Sequence, residues 1–381
     1  MQSRLLLYDT SNFINLPIGG QLTSISNFLR FLREKHPDVL EKMILVGVSE
    51  QPEKIGNLQK VNIHGMEVDF LPVALVETDL SHTQKSLRIA YVKGLLKYGK
   101  KLRIKKTDCN YIHTPEAYAA IKILNLFSAC AVFSHGSFFN MEKGFRFFQK
   151  NKAIKSLFNT YLKFLLKTVR ILFVLDKDSE EAYLPYNKQV FRVNNSIVPV
   201  LDSYPENKTF QKRLVFVGRL SKEKRVETIL QAVELLDDSY AMTVIGDGET
   251  WDSLQKYQNS RIRLLGALKP AEVKEQLINQ DILIMNSTIE GIPMTILEAL
   301  SFGIPVVTTD VGGIGTVVRF GVDSEKTDGT AESIRVAVET IATEYERYAK
   351  EAYKQSQKFH YLEVNAYLWE KISRLWPNLS K

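Results

Sequence analysis

The stretch DILIMNSTIEGIPMTILEALSFGIPVVTT, residues 281–309, carries both periodicities of a parallel α/β sheet. It reads as a strand (Asp281–Asn286), a loop (Ser287–Ile292), a helix (Pro293–Phe302) and a second strand (Ile304–Thr309). Pro293 suits a first helical turn, where its missing N–H costs nothing, and Gly303 with Pro305 ends the helix. The loop therefore delivers Glu290 to the carboxyl end of a strand, beside the N–H groups of Met294, Thr295 and Ile296. Amides at a helix N-terminus form an anion seat. Gly291, Ile292 and Pro293 line the same mouth, and Glu298 follows two turns along. Two carboxylates flanking such a seat suit a sugar joined to a diphosphate and a ribose.

The same alternation runs through the rest of the second half. Strands are expected at Leu214–Val217, Ala241–Ile245, Ile262–Leu265, Ile282–Met285 and Pro305–Thr308, with helices between them. The first half alternates too, with strands at Arg4–Tyr8, Met43–Val48, Asn110–His113, Ala129–Ser134 and Arg170–Leu175. Short apolar strands separated by helices argue for parallel sheets covered on both faces. A chain of 381 residues exceeds what one core usually holds. The expected organisation is a Rossmann-like domain over residues 1–199, a polar, turn-rich linker over 200–210 and a second Rossmann-like domain over 211–358. An aromatic-rich helix fills 359–381. Ligands of open α/β sheets bind at the carboxyl ends of the strands, so two such domains facing each other would share one cleft.

Composition narrows the class. Hydrophobic residues make up 45% and charged residues 24%, as in a soluble globular protein. Cys109 and Cys130 follow no metal or redox spacing, and the N-terminal apolar run is too short for a signal peptide. No run of 18 apolar residues is present, so no membrane span is expected and the cytoplasm is the expected compartment. Charge is lopsided: residues 1–200 hold 28 Lys and Arg against 17 Asp and Glu, whereas residues 201–381 hold 22 against 26. Lys85–Lys106 contains nine basic residues and no acid; Lys143–Arg170 contains eight and no acid, interleaved with aromatic residues. Basic and aromatic together suit an anionic membrane surface. No nucleic-acid-binding signature accompanies them, and nucleic acid is not expected as a partner.

Further constellations sit at expected strand ends. Gly218-Arg219-Leu220 precedes Lys224, a planar fork and a mobile point charge for phosphate oxygens. Gly246-Asp247-Gly248 closes the next strand in a tight turn, and Leu264-Leu265-Gly266 ends the one after. Gly19-Gly20 lets backbone amides approach a phosphate. His135 follows Ala129–Ser134 and His113 ends Asn110–His113; either imidazole suits hydrogen-bonding or acid/base work near neutral pH. Asp176-Lys177-Asp178 has a metal-binding spacing, but it opens an acidic helix start, where aspartates cap. No metal site is expected.

In this order, these motifs resemble the family-4 retaining glycosyltransferases (glycosyl transferases group 1) of the GT-B architecture, over nearly the whole chain. The resemblance implies two Rossmann-like domains facing across a cleft, with the terminal helix packing back on the N-terminal domain. It implies transfer of a sugar from a nucleotide-diphosphate sugar, most often a UDP-sugar, without a metal or other cofactor. The acceptor would be a glycan, lipid-linked or protein-linked, in the synthesis of cell-surface polysaccharide or glycoconjugate. Glu290 and His135 would flank the donor sugar as the catalytic pair. Arg219, Lys224, Gly19, Gly20 and the Met294, Thr295 and Ile296 amides would hold the diphosphate. Gly291, Ile292, Pro293 and Glu298 would meet the sugar and ribose, and Gly246, Leu265 and Gly266 the base side. The chain departs from the family where Asn194-Asn195-Ser196-Ile197 replaces the usual Asn-Gly-Ile-Asp, and where Gly315-Thr316 replaces a Pro-Glu pair. Alternatives on the same residues are a nucleotide-sugar epimerase, a phosphorylase-like enzyme or a nonenzymatic nucleotide-sugar-binding protein.

Overall fold

The computed structural model of the chain describes residues 3–13, 20–76, 87–135, 152–199, 201, 203–204 and 208–379. Gly19, part of the 200–210 segment and residues 143–151 of the second basic run lie outside the described residues. The chain divides into two compact units, residues 1–194 with 364–381, and residues 195–363.

The first unit holds one sheet. Its strands are β1 (Leu5–Tyr8), β2 (Ile44–Ser49), β3 (Gln59–Ile63), β4 (Met66–Leu75), β5 (Cys109–Ile112), β6 (Ala129–Ser134), β7 (Ile171–Val174) and β8 (Val190–Arg192). Their order is β3-β4-β2-β1-β5-β6-β7-β8, and every pairing is parallel except β3 with β4. β1, β5 and β7 are buried along their whole length, as expected when helices cover both faces. β3 and β4 are not among the expected strands. They form a hairpin whose turn residues His64 and Gly65 both have positive φ, the twist that suits a two-residue connection. Polar residues alternate with Val61 and Ile63 in β3, so this edge reads as loop when only apolar runs are counted. The C-terminal helix (Tyr361–Leu375) returns to this unit from Val364 onward. There Trp376 donates its indole N–H to the Asp108 carbonyl at 3.2 Å, and Trp369 lies 4.8 Å from the His36 ring.

The second unit contains β9 (Arg213–Val217), β10 (Ala241–Ile245), β11 (Ile262–Leu264), β12 (Ile282–Met285), β13 (Val306–Thr308) and β14 (Ser324–Lys326). All pair in parallel in the order β11-β10-β9-β12-β13-β14. Renumbered from β9, that order is the 3-2-1-4-5-6 of the dinucleotide-binding folds, with its switch point between β9 and β12. In sheets of this order the connections at the switch point leave in opposite directions, which places a crevice at the carboxyl ends of the two strands. The helix after β12 spans Met294–Ser301 and buries Ile296, Leu297 and Leu300 against the sheet. Pro293 stands just before it as N-cap, not inside it as expected, because its ψ of 122° is extended.

Candidate active site

Two loops meet at the switch point of the second unit. After β9 the chain runs through Gly218, an exposed Arg219 and a short 3-10 turn, Lys222–Lys224. After β12 it runs through Asn286 and Ser287 to Glu290. They are joined by backbone: the Thr288 N–H donates to the Glu223 carbonyl at 2.8 Å. They are joined by charge as well, since Lys224 Nζ is bonded to Glu290 Oε1. The side chains of Lys224 and Glu290 are only 19% and 11% exposed. Ser287, fully buried, donates its hydroxyl to the same Glu290 oxygen at 2.7 Å, while its carbonyl accepts from Thr309 Oγ1 at 2.6 Å. A carboxylate with these two donors is held in one orientation.

Glycines set the backbone around it. Gly312 has φ +58°, and a Cβ there would overlap the Glu290 carbonyl oxygen. The Gly313 N–H donates to the Gly291 carbonyl at 2.9 Å. The Asp310–Gly313 segment thus clamps the Glu290–Gly291 loop from behind. On the other flank, a Cβ at Gly246 would overlap the Gly218 carbonyl, and the Leu220 N–H donates to the Asp247 carbonyl at 2.9 Å. The Gly246–Gly248 turn is therefore a brace for the Arg219 loop. Gly266 accepts from the Gly246 N–H at 2.8 Å, and the Leu265 N–H donates to Val244, so the residues expected on the base side form the next rung.

Gly291 has open space where a side chain would be, and Ile292 is buried. Among the described residues, no hydrogen bond uses the Met294 or Thr295 N–H. Ile296 differs from expectation: its N–H donates to the Pro293 carbonyl at 3.2 Å, because the first turn closes tightly on the N-cap. It is not a free donor. Glu298 lies on the following turn, its carboxyl pushed up by burial and partly brought back by Lys274.

Four supporting residues escaped the sequence reading. Besides Ser287 and Thr309, Arg225 donates to the Asn286 carbonyl at 2.9 Å and to Asn286 Oδ1 at 3.0 Å, fixing the end of β12. Arg225 looks in sequence like one more cation of the Lys222–Lys224 cluster. Asn195, buried, donates to the Ile292 carbonyl at 3.2 Å. It stands in the segment that departs from the family pattern, so its residue type drew no role.

In the first unit, His113 and His135 end adjacent strands. They are bonded to each other, His113 Nδ1 to His135 Nε2, at 2.8 Å. Both rings stack on Phe133, with centroids 5.5 Å and 4.5 Å away. The two candidates are thus one pair. Burial holds the His135 pKa at about 3, and burial together with His135 holds His113 well below the usual imidazole range. Both shifts favour the neutral imidazole, in which one ring nitrogen donates and the other accepts. Gly20 begins the Gly20–Lys35 helix. Asp176 caps the Lys177–Tyr183 helix, accepting from the Ser179 N–H at 2.7 Å and its hydroxyl at 2.9 Å. Among the described residues no group of three or more potential ligands is placed to hold a metal.

The model of the family described as "Glycosyl transferases group 1" matches residues 203–358, the unit that contains these loops. The chain carries a glycosyl transferases group 1 domain. It is similar to the O-antigen biosynthesis glycosyltransferase WbnH of Escherichia coli, 27% identical over 211 residues. That match spans 54% of this chain and 60% of the relative. It is also 35% identical over 107 residues to the putative teichuronic acid biosynthesis glycosyltransferase TuaC of Bacillus subtilis, covering 28% of this chain and 27% of that one. Among solved structures, sucrose-phosphate synthase from Thermosynechococcus elongatus superposes with a TM-score of 0.75 at 14% identity, covering 99% of this chain and all of that one. Anabaena HepE, solved with UDP and glucose, gives 0.66 at 15% identity over 98% of this chain and all of that one. At such identities the likeness establishes the fold, which is GT-B with two Rossmann-like domains.

Proposed function

We propose that the chain is a retaining, metal-independent glycosyltransferase that moves a sugar from a nucleotide-diphosphate sugar, UDP first among them, to a glycan, lipid-linked or protein-linked acceptor. The observation that carries this is the meeting of Lys224 and Glu290, with Arg219 alongside, at the switch point of a 3-2-1-4-5-6 sheet. Cleaving the bond between sugar and diphosphate puts negative charge on the departing diphosphate and positive charge on the ring. Arg219, Lys224 and the Met294 and Thr295 amides oppose the first; Glu290 opposes the second. Groups fixed in place before the reaction stabilise such charge more in the transition state than in the ground state. The diphosphate draws Lys224 off Glu290, which frees the carboxylate for the sugar. Glu298 holds the ribose hydroxyls, and His135 offers the sugar a neutral hydrogen bond. The names of WbnH and TuaC support a place in the assembly of cell-surface polysaccharide.

The test is a thermal-shift screen of nucleotide sugars, followed by turnover with acceptor and proton NMR of the product anomer. Binding at a hundredfold excess over Kd stabilises by about 2.7 kcal/mol, a readily measured shift. The expected result is stabilisation by a UDP-sugar, its loss in Arg219→Ala, and a product with the donor's anomeric configuration. Conversion of the donor sugar without acceptor would assign an epimerase instead. Indifference of wild type to every nucleotide sugar would overturn the reading.

A further inference from the structure

The opposite, amino-terminal edge of the first unit's sheet displays apolar side chains to water. Residues 125–128 turn into β6, and there Leu126 and Phe127 are 68% and 79% exposed. Ile123, near the end of the Ala117–Leu124 helix, is 72% exposed. This tip is tied down. Lys122 Nζ donates to the carbonyls of Leu126 at 3.3 Å and Ser128 at 2.6 Å. Asn125 donates to the Ile104 carbonyl at 2.8 Å and accepts from the Phe127 N–H at 3.0 Å. A turn locked in this shape keeps three large apolar groups out of the core, which a monomer has no reason to do unless something covers them.

Cations frame the tip. Parallel register from β5 to β8 sets the residues that enter those strands side by side. Lys105 and Lys106 precede β5, Arg170 precedes β7 and Lys188 precedes β8, all exposed. Asn187 donates to the Leu166 and Val169 carbonyls at 2.9 and 3.0 Å, which brings Lys188 against the end of the Lys152–Thr168 helix, where Lys167 is exposed. Among the residues that lead directly into β5 to β8, the acid is Asp108, which is buried and paired with Arg4 at 2.7 Å; Glu41, before β2, is exposed at the same edge. Glu370 of the C-terminal helix lies between Lys371 and Arg374.

We propose that this edge docks the chain on an anionic lipid bilayer, with Leu126 and Phe127 in the interface and the flanking cations at the headgroups. Apolar points set among cations match both layers of such a surface. A polyanion such as RNA would reward the cations and leave Phe127 in water. A second copy would bring its own cations against these, and like charges oppose that contact. Among the described residues no helix is long and apolar enough to cross a membrane, so the attachment is superficial. The assignment narrows the expected contact from the whole Lys143–Arg170 run to one edge.

Flotation of the full chain with vesicles of phosphatidylcholine, alone and with a third phosphatidylglycerol, tests this without any sugar substrate. Its outcome is therefore separate from that of the transferase reading. The expected result is binding to anionic vesicles only, weakened at least about tenfold by Leu126→Ser with Phe127→Ser and by high salt. Lys105→Glu with Lys106→Glu should weaken it similarly, and Phe127→Trp should report insertion through quenching by brominated lipid. Unchanged thermal melting of the variants excludes misfolding. Binding within twofold of wild type in the double-serine variant would overturn the proposal. So would a dimer that the double-serine change converts to monomer without altering flotation, or tighter binding to RNA than to vesicles.

Discussion

The carboxyl ends of the two sheets make opposite use of the same architecture. In the second unit the strand ends carry charge near water: Arg219 exposed, Lys224 and Glu290 paired but partly accessible. In the first unit they carry groups with little access to water, His113 and Asp9 buried and His135 half-buried. His113 and His135 stack into neutral rings, and Asp9, just past β1, is buried beneath Gln21, which donates to its carboxylate. A charged edge can follow charge forming on a reacting ligand. A desolvated one can only shape and hydrogen-bond it. The division of labour expected is chemistry from the second unit and fit from the first.

The sharpest way to break that comparison is to remove one group from each edge. Glu290→Gln keeps the shape and the Ser287 hydrogen bond but loses the charge. It should lower kcat by about 10²–10³, the scale seen when one charge-stabilising group is lost. His135→Asn keeps a neutral hydrogen-bonding group and should raise KM more than it lowers kcat. Steady-state kinetics on both variants decides; a larger kcat loss in His135→Asn would reverse the assignment of roles.

A second prediction concerns the clamp behind Glu290. At Gly312, φ is +58° and any Cβ would overlap the Glu290 carbonyl, so Gly312→Ala must move the loop. Strain of this kind costs on the order of 1–3 kcal/mol, and activity should fall about 10–100-fold because a small misplacement is amplified at a reacting centre. Gly321→Ala, where φ is +76° but space is open, is the control: it should cost stability alone. Equal activity losses in the two would show that the clamp does nothing particular to Glu290.

How much of this was readable in advance follows the same divide. β12 and β9 from Leu214 onward announce themselves because a strand buried on both faces reads as an unbroken apolar run, and β10 interrupts that run only at Thr243. Arg219, Lys224 and Glu290 stand out because charged residues beside glycines at strand ends have few packing reasons to be there. Ser287, Thr309 and Asn195 stayed hidden because a hydroxyl or amide earns its role only through the backbone opposite it, which no local pattern states. The pairing of His113 with His135 was hidden for a related reason. Residues 22 positions apart become neighbours only when β5 and β6 are seen to pair. The Gln59–Leu75 hairpin did carry a signal, alternation around His64-Gly65, which a search for two-residue turns would find.

Burial of Asp9 gives a third prediction, smaller and confined to stability. Its carboxyl is raised to about 6, chiefly by burial, with Ser11 and Gln21 pulling the other way. A folded pKa above the unfolded value means that the folded state binds the extra proton. The stabilisation is present in full below about pH 4 and is lost as pH rises through about 6. Asp9→Asn, neutral at every pH, should therefore be more stable than wild type at pH 7.5 by about 1–3 kcal/mol. The gap should narrow at pH 4.5 and close below about pH 4 in chemical denaturation. A gap that stays constant with pH would mean that Asp9 is charged and satisfied in the folded chain.

The smallest expected effect is none at all, and it tests the charged edge most directly. Transferases that hold a diphosphate with a divalent ion need carboxylates to bind that ion. The Asp-Lys-Asp sequence at 176–178 has the spacing, but Asp176 is committed to Ser179 as a helix cap, accepting from both its N–H and its hydroxyl. On the proposed reading, Arg219 and Lys224 supply at the switch point the charge that a metal would bring. Excess EDTA should accordingly leave kcat and KM within error of the untreated enzyme, and added magnesium or manganese should not restore activity to Arg219→Ala. Loss of activity in EDTA, recovered with manganese, would place the neutralising charge on an ion instead. Asp176→Ala separates the two cases: as a cap it should cost about 1 kcal/mol of stability and leave kcat intact, whereas as a metal ligand it should abolish turnover.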